Sequence, residues 1–178
     1  MKKHKNIIKE RYNRLGGSLY DLRYTEEQLE KYKHILDELN EPRLLLDNGC
    51  GTGLLFPLID CTLVGLDFSC KLLSTARERN KQEQHLIQGD SENLPFRDSV
   101  FDSAVSVTVI QNLSSPEKLP LETARVVKPC SIVIISSLKR VYSRDEICKL
   151  VESDELFVRK ILTNENINDW ITISTRKQ

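Results

Sequence analysis

The chain predicts an α/β domain built on a mostly parallel sheet that finishes in an antiparallel hairpin. Three observations carry that prediction. Residues 44–55, LLLDNGCGTGLL, join an apolar run to Asp47 and then to alternate glycines at Gly49, Gly51 and Gly53, a strand entering a tight turn of bare backbone that opens a helix. Short apolar runs then alternate with helical patterns along the chain, the rhythm of strand–helix–strand units. Finally, residues 156–162 and 169–174 are two apolar runs parted only by the polar loop 163–168. Parallel neighbours need a crossover of roughly a dozen residues or more, so this last pair must be antiparallel.

Taken in order, the elements justify themselves locally. A helix is expected over residues 25–40, where Thr25 and Gln28 form a capping box and Leu29, Tyr32, Leu36 and Leu39 recur at helical spacing. The first strand follows at 43–47. After the glycine turn, a short helix through Leu58 should end before a second strand at 63–67, LVGLD, with Pro57 either late in that helix or kinking it. Ser69 caps the next helix, which runs through Asn80. The third strand is 85–88 and the fourth 102–109, whose β-rich apolar character suits burial on both faces. Residues 116–127 read as a broken helix, 131–138 (SIVIISSL) as the fifth strand and 143–153 as a further helix. Trp170 opens the last strand and reads as core.

Composition sets the outer bounds. With 178 residues and 39% hydrophobic content, the chain supports one well-buried core and not two. A formal net charge of zero removes any whole-protein argument for attraction to nucleic acid or membrane, and neither DNA nor a membrane is expected as a partner. No run approaches the roughly 18 apolar residues of a membrane span, and the first residues, MKKHKNIIKERYNRL, lack the apolar stretch of a secretory signal; the expected location is the cytoplasm. The five cysteines, Cys50, Cys61, Cys70, Cys130 and Cys148, are odd in number and widely spaced, and only His4, His34 and His85 accompany them. Neither a disulfide framework nor a metal site is expected.

The chemistry is concentrated at strand ends. A dinucleotide fold wants G-x-G-x-x-G, but the third position of that pattern is Leu54 here; the pattern is D-x-G-x-G-x-G headed by Asp47. Turn amides of this kind close on hydroxyls, carboxylate or phosphate. Asp67 lies twenty residues after Asp47, at the end of the second strand, where an acid meets ribose hydroxyls in nucleoside-binding folds. Asp90 ends the third run, HLIQGD, ahead of SENLPFRDSVFD. The alternatives are that Asp67 caps the helix opening near Ser69 and that Asp90 is a turn residue.

In this order and spacing, the segments resemble the class I S-adenosylmethionine-dependent methyltransferases. That resemblance implies a Rossmann-like seven-stranded, mostly parallel sheet with a C-terminal antiparallel hairpin and helices on both faces. It implies S-adenosyl-L-methionine as cofactor, with the turn at Asp47, Gly49, Cys50, Gly51 and Gly53 meeting the methionine portion, Asp67 the ribose, Asp90 the adenine and its exocyclic amine, and Phe68, Ser91 and Tyr24 among the cofactor-binding residues. Pro129–Cys130 stands where the family usually has a Pro-Gly-Gly turn, so Cys130 reads as a structural variant of that turn.

The acceptor side is less explicit. No N-P-P-Y or D-P-P-Y follows the fourth strand; VIQNL stands there instead, placing Gln111 and Asn112 nearest the methyl group. Their amides either orient a nucleophile or end a strand. No general base stands out, which methyl transfer tolerates because alignment carries much of the catalysis. Residues 1–40 read as a basic arm, a lid segment and the first helix, ahead of a core at 41–178. The first fourteen residues hold six Lys or Arg against Glu10 alone. Such an arm suits an RNA backbone, or is a solvated terminus. Within GGSLYDLRY, Tyr20 and Tyr24 either fold over the cofactor, Tyr20 reaching the reacting centre, or pack on the first helix. The expected acceptor is RNA or a translation-associated macromolecule, with a small zinc-binding activator subunit as partner and modest solubility alone. The alternatives are a small metabolite, as in quinone-biosynthesis enzymes, which GDSENLPF resembles, and a non-catalytic cofactor-binding subunit.

Overall fold

The structure, a computed structural model, describes residues 2–80 and 83–178. Seven strands form one sheet in the order β3-β2-β1-β4-β5-β7-β6. They are β1 (Leu44–Asn48), β2 (Thr62–Asp67), β3 (Gln84–Gln88), β4 (Phe101–Ser106), β5 (Val127–Leu138), β6 (Leu156–Leu162) and β7 (Asp169–Arg176). The pairs among β1 to β5 are parallel, whereas β7 runs antiparallel between β5 and β6. The short 163–168 connection therefore does what chain geometry requires of it.

Both faces of the sheet are covered. Adjacent β1 residues Leu45 and Leu46, both fully buried, point into different cores. One core joins Leu45 and Leu63 to Tyr32 and Ile35 of α1 (Lys2–Leu36) and to Leu73 and Ala76 of α2 (Cys70–Arg79). The other joins Leu46 and Val133 to Leu119 and Ala124 of α3 (Lys118–Val126) and to Ile147 and Val151 of α4 (Arg144–Val151). A continuous apolar strand sequence is thus explained by burial on both sides.

Several elements differ from the sequence reading. The first helix does not start at a capping box on Thr25; helical structure begins at Lys2, and the Thr25 hydroxyl donates to the Asp21 carbonyl inside the helix. Residues 2–15 are consequently a helix rather than a loose arm. Its buried stripe is also rotated from Leu29, Leu36 and Leu39, which are half-buried, to Gln28, Lys31, Tyr32 and Ile35. The helix breaks at Gly16 (φ 67, ψ 170), a left-handed conformation that glycine adopts without steric cost. At Gly17 a Cβ would lie 1.8 Å from Thr75 Oγ1, so α1 approaches α2 closely there.

After β1 the expected short helix is a single 3-10 turn, Phe56–Leu58, with Pro57 near its start. β4 ends at Ser106 rather than residue 109 because Thr108 takes a left-handed conformation (φ 62) that a strand cannot contain. α3 is unbroken; Pro120 sits in its first turn, where a missing N–H leaves no helical bond unmade. β5 starts four residues early and bulges against β4, its register stepping from Phe101↔Val127 to Ser103↔Ile132. Exposed Cys130 occupies that irregularity at φ 65, a backbone conformation uncommon for a residue other than glycine. Trp170 is half-buried at the edge of the core, its indole N–H donating to the Tyr142 carbonyl.

Candidate cofactor and acceptor site

The glycine turn is pinned at the C-terminal ends of the parallel strands. The amides of Gly49 and Cys50 both donate to the Leu66 carbonyl, at 2.7 and 2.9 Å. Gly51 N–H donates to Asp67 Oδ2 at 2.9 Å, and Ser69 N–H donates to Asp67 Oδ1 at 2.8 Å. Ser69 in turn caps α2 through its hydroxyl. Asp67 thus steadies turn and helix together, and each oxygen retains acceptor capacity for a ligand hydroxyl. A Cβ at Gly51 would meet nothing closer than the Tyr20 ring and hydroxyl, 3.7 Å away. Bare backbone there leaves room for a ligand.

The other turn residues face elsewhere. Cys50 is buried, its sulfur close to Gly65. Gly53 approaches Ala76 and Phe56, where a Cβ would be 3.1 Å from each. Asp47 is 2% exposed and its Oδ2 has no hydrogen-bond partner among the described residues. Burial, then the nearby Asp67 charge, push the Asp47 carboxyl up to about 8. Burial also raises Asp67, opposed by the amides of Ser69, Gly51 and Phe68. A buried acid with an unused oxygen beside a second acid is suited to a cationic or donor-rich group.

At the far end of the cleft, Asp90 Oδ1 accepts from Glu92 N–H at 3.0 Å, while Oδ2 pairs with Lys5 Nζ at 2.6 Å. Lys5 also pairs with Glu92 Oε2 at 2.8 Å. Lys5 comes from the N-terminal half of α1, which lies across the cleft with Ile8, Lys9 and Tyr12 among its lining residues, and Lys9 Nζ sits 4.8 Å above the Phe68 ring. Phe68 and Ser91 also line the cleft. The space left under the helix is about 90 Å³, below the roughly 300 Å³ at which ligand pockets begin.

Past the break at Gly16, Tyr20 lines the cleft and Tyr24 packs behind it, ring centroids 4.9 Å apart. Asp21 fastens this half of the helix: Thr52 Oγ1 donates to Asp21 Oδ1 at 2.6 Å, and Arg79 donates to Asp21 Oδ2 and to the Thr52 carbonyl, both at 2.5 Å. Burial raises the phenols of Tyr12 and Tyr20 above their ordinary range. Both therefore stay protonated.

A second, larger cleft of about 690 Å³ adjoins the first and shares Tyr12, Tyr20, Thr108 and Asn112 with it. Its floor is a buried polar cluster. Lys31, fully buried, contacts Asp169 Oδ1 at 2.8 Å, Glu27 Oε1 at 2.9 Å and Thr108 Oγ1 at 2.9 Å. Asp169 Oδ2 accepts from Thr108 Oγ1 and Ser136 Oγ at 2.9 and 2.7 Å, and Thr108 N–H donates to Ser136 Oγ at 2.8 Å. Gln111 and Asn112 donate from their side-chain amides to the Thr108 carbonyl, and Asn112 also donates to the Tyr12 hydroxyl at 3.1 Å. Gln111 Oε1 is buried without a partner among the described residues.

Sequence reasoning did not single out Lys5, Tyr12, Lys31, Glu92, Thr108 or Asp169. Lys31 carried the one available signal: it lies one turn from Gln28 and Ile35 on the stripe that packs inward. Of the residues expected at the turn, ribose and adenine ends, Gly49, Gly51, Asp67, Phe68, Asp90 and Ser91 line one cleft, whereas Asp47, Cys50, Gly53 and Tyr24 do not line it.

With this geometry established, the sequence profile described as a methyltransferase domain matches residues 46–135. A tRNA (carboxymethyluridine(34)-5-O)-methyltransferase of Arabidopsis thaliana is 33% identical over 110 residues, covering 60% of this chain and 26% of its own length. A malonyl-acyl-carrier-protein O-methyltransferase of a Marinomonas species is 33% identical over 147 residues, covering 77% of this chain and 53% of its own length. The chain thus spans about half, or less, of these curated relatives. A chain from the complex between the Haloferax volcanii Trm112 methyltransferase activator and a methyltransferase shares the fold, with a TM-score of 0.80 at 16% identity, covering 94% of this chain and 98% of that one. A profile match over half of the sequence, carried on this strand order, puts the chain in the family of class I S-adenosylmethionine-dependent methyltransferases.

Proposed function

We propose that the chain transfers the methyl group of S-adenosylmethionine to a small acceptor bound in the 690 Å³ cleft. The observation that carries this reading is the continuity of the two clefts through Tyr12, Tyr20, Thr108 and Asn112, which lets one ligand in each bring reacting atoms together. The cofactor supplies a methyl group already activated on a sulfonium. Asp67 holds the ribose, Asp90 takes the adenine amine once Lys5 withdraws, and the 49–51 turn, whose amides are already bonded to the Leu66 carbonyl and Asp67, meets the methionine end as bare backbone rather than as a set of amide donors. Asn112 stands at the junction and Gln111 in the adjoining wall of the larger cleft, where Gln111 Oε1, buried and without a partner among the described residues, turns to accept from the acceptor's N–H or O–H and so aims its lone pair. The protonated tyrosines wall the junction and exclude water. The N-terminal half of α1 must turn out about Gly16 to admit the cofactor.

A second reading keeps the macromolecular acceptor, an RNA or a translation-associated protein with a zinc-binding activator. Its support is the outer side of α1, where exposed Ile7, Leu19 and Leu22 lie among Arg11, Arg14 and Arg23, together with the tRNA methyltransferase relative. Against it, Lys5 and Lys9 of the basic segment turn inward onto the cofactor cleft.

Calorimetry tests the common step. S-adenosylmethionine should bind, and Asp67→Ala should weaken it by about 1.5 to 3 kcal/mol, the scale of lost hydrogen bonds to a charged group. Binding of a nicotinamide cofactor instead overturns the reading. With methyl-labelled cofactor and an extract of the native cell, label should appear in the small-molecule fraction; label retained on RNA or protein favours the second reading.

A further inference from the structure

We propose that the acceptor cleft selects a substrate bearing a carboxylate or phosphate, held at the rim by Arg140 and Lys139, with an N–H or O–H donor directed at Gln28 and Gln111. This rests on the methyltransferase reading and deepens it.

Charge is the first observation. The protein as a whole is formally neutral, yet the cleft is lined by Arg11, Lys31, Lys139 and Arg140 with Glu27 as the acid among its lining residues. Lys31 is already answered by Asp169 and Glu27. Lys139 donates to the carbonyls of Asn164 and Ile167 and lies 5.5 Å from the Trp170 ring centroid; these contacts fix the ammonium but leave its charge uncancelled. Arg140 is exposed and makes no ion pair among the described residues. An oxyanion is the chemistry that a fixed ammonium beside an open guanidinium recognises.

The second observation is independent of charge. Gln28 lines the cleft, is 5% exposed, and has no partner for Oε1. Its orientation is set by Thr108: that hydroxyl gives its proton to Asp169, so it must receive Gln28 through Nε2, at 3.5 Å. Gln111 is set in the same way, because its Nε2 faces the Thr108 carbonyl at 2.5 Å and a carbonyl only accepts. Two amide oxygens are therefore buried in the wall beside the cleft with no donor among the described residues, a costly arrangement that a ligand's N–H or O–H answers once either amide turns toward the opening. Donor recognition at the floor and anion recognition at the rim define one ligand with an amine or hydroxyl at one end and an acid at the other.

The test uses the full chain saturated with S-adenosylhomocysteine and three probes that share an aromatic amine: 4-aminobenzoate, 4-aminophenyl phosphate and neutral 4-aminobenzamide. Calorimetry should find one anionic probe bound at least about tenfold more tightly than the amide, a gap worth about 1.4 kcal/mol, and which anion wins separates a carboxylate from a phosphate source. Arg140→Gln, which touches neither the cofactor cleft nor the buried cluster, should remove most of that preference and leave S-adenosylhomocysteine affinity unchanged. Equal affinity for the three probes, no binding of either anion, or an unchanged preference in Arg140→Gln overturns the inference while leaving the methyltransferase reading intact. Failure of S-adenosylhomocysteine itself to bind overturns both, and registers before any probe is added.

Discussion

On the cofactor side, the wall opposite α1 is carried by strand ends and one backbone turn: Gly51 bonds to Asp67, Asp67 bonds to Ser69, and Asp90 closes its own turn through Glu92 N–H. On the acceptor side they come from remote elements. Lys31 on α1, Thr108 after β4, Ser136 on β5 and Asp169 on β7 meet only because the sheet and helix have packed. The first region is local and partly exposed, the second long-range and sealed. They should therefore respond to substitution in opposite ways.

The largest contrast lies in their ion pairs. Lys31 and Asp169 are fully buried, so Lys31→Met strands a carboxylate and should cost about 3 to 5 kcal/mol in urea unfolding. Adding Asp169→Leu should recover part of that loss. Lys5 and Asp90 keep 23% and 32% side-chain exposure, and Glu92, the buried second partner of Lys5, retains the amides of Ser114 and Ser115, so Lys5→Ala should cost less, about 1 to 2 kcal/mol. Similar losses for the two lysines would erase the distinction.

A smaller effect sharpens it through pH. Asp47, pushed up to about 8 by burial and the neighbouring Asp67, holds a proton in the folded chain that the unfolded chain releases near 4. The folded state then binds more protons at this site across that interval, so the Asp47 contribution to stability is greatest below about pH 4, declines as pH rises to about 8, and levels off beyond. Asp47→Asn has no such proton. Its melting temperature should gain on the parent progressively between pH 5 and 8, and a pH-independent difference would show that Asp47 is ionised when folded.

The subtlest expectation concerns motion. Hydrogen exchange across residues 5–24 should slow when S-adenosylmethionine binds, while β1, β4 and β5 change little. If these helical amides are already as protected as the central strands without ligand, α1 is a fixed wall.

What the sequence disclosed follows the same division. The glycine turn at Gly49, Gly51 and Gly53, the positions of Asp67 and Asp90 at strand ends and the closing hairpin could be read because each depends on neighbours a few residues away and on loop length; the bonds these acids make here are the alternatives also read, a helix start for Asp67 and a turn for Asp90. Ser69 was read correctly as a cap for this reason. Gln111 and Asn112 could be placed after β4, but the Thr108 turn they brace could not, since a threonine at φ 62 announces nothing in sequence. Lys31 was not singled out because its deeper partner, Asp169, lies 138 positions away, and with Glu27 one turn back it makes the burial tolerable. The N-terminal basic run misled because charge suggested a free arm, whereas Ile8 and Tyr12 carry it onto the cleft.

The break at Gly16 has a kinetic consequence. A half-helix that is closed over Asp90 by Lys5, and joined to the rest of α1 through one left-handed glycine, makes entry a two-step event. If cofactor enters only the open form, its apparent dissociation constant is the intrinsic one divided by the open fraction. Its observed binding rate then reaches a ceiling with rising concentration, set by how often the half-helix swings out. After capture, the same segment can fold back over the occupied cleft, so residence time is governed by the strength of the closed contacts separately from the speed of arrival.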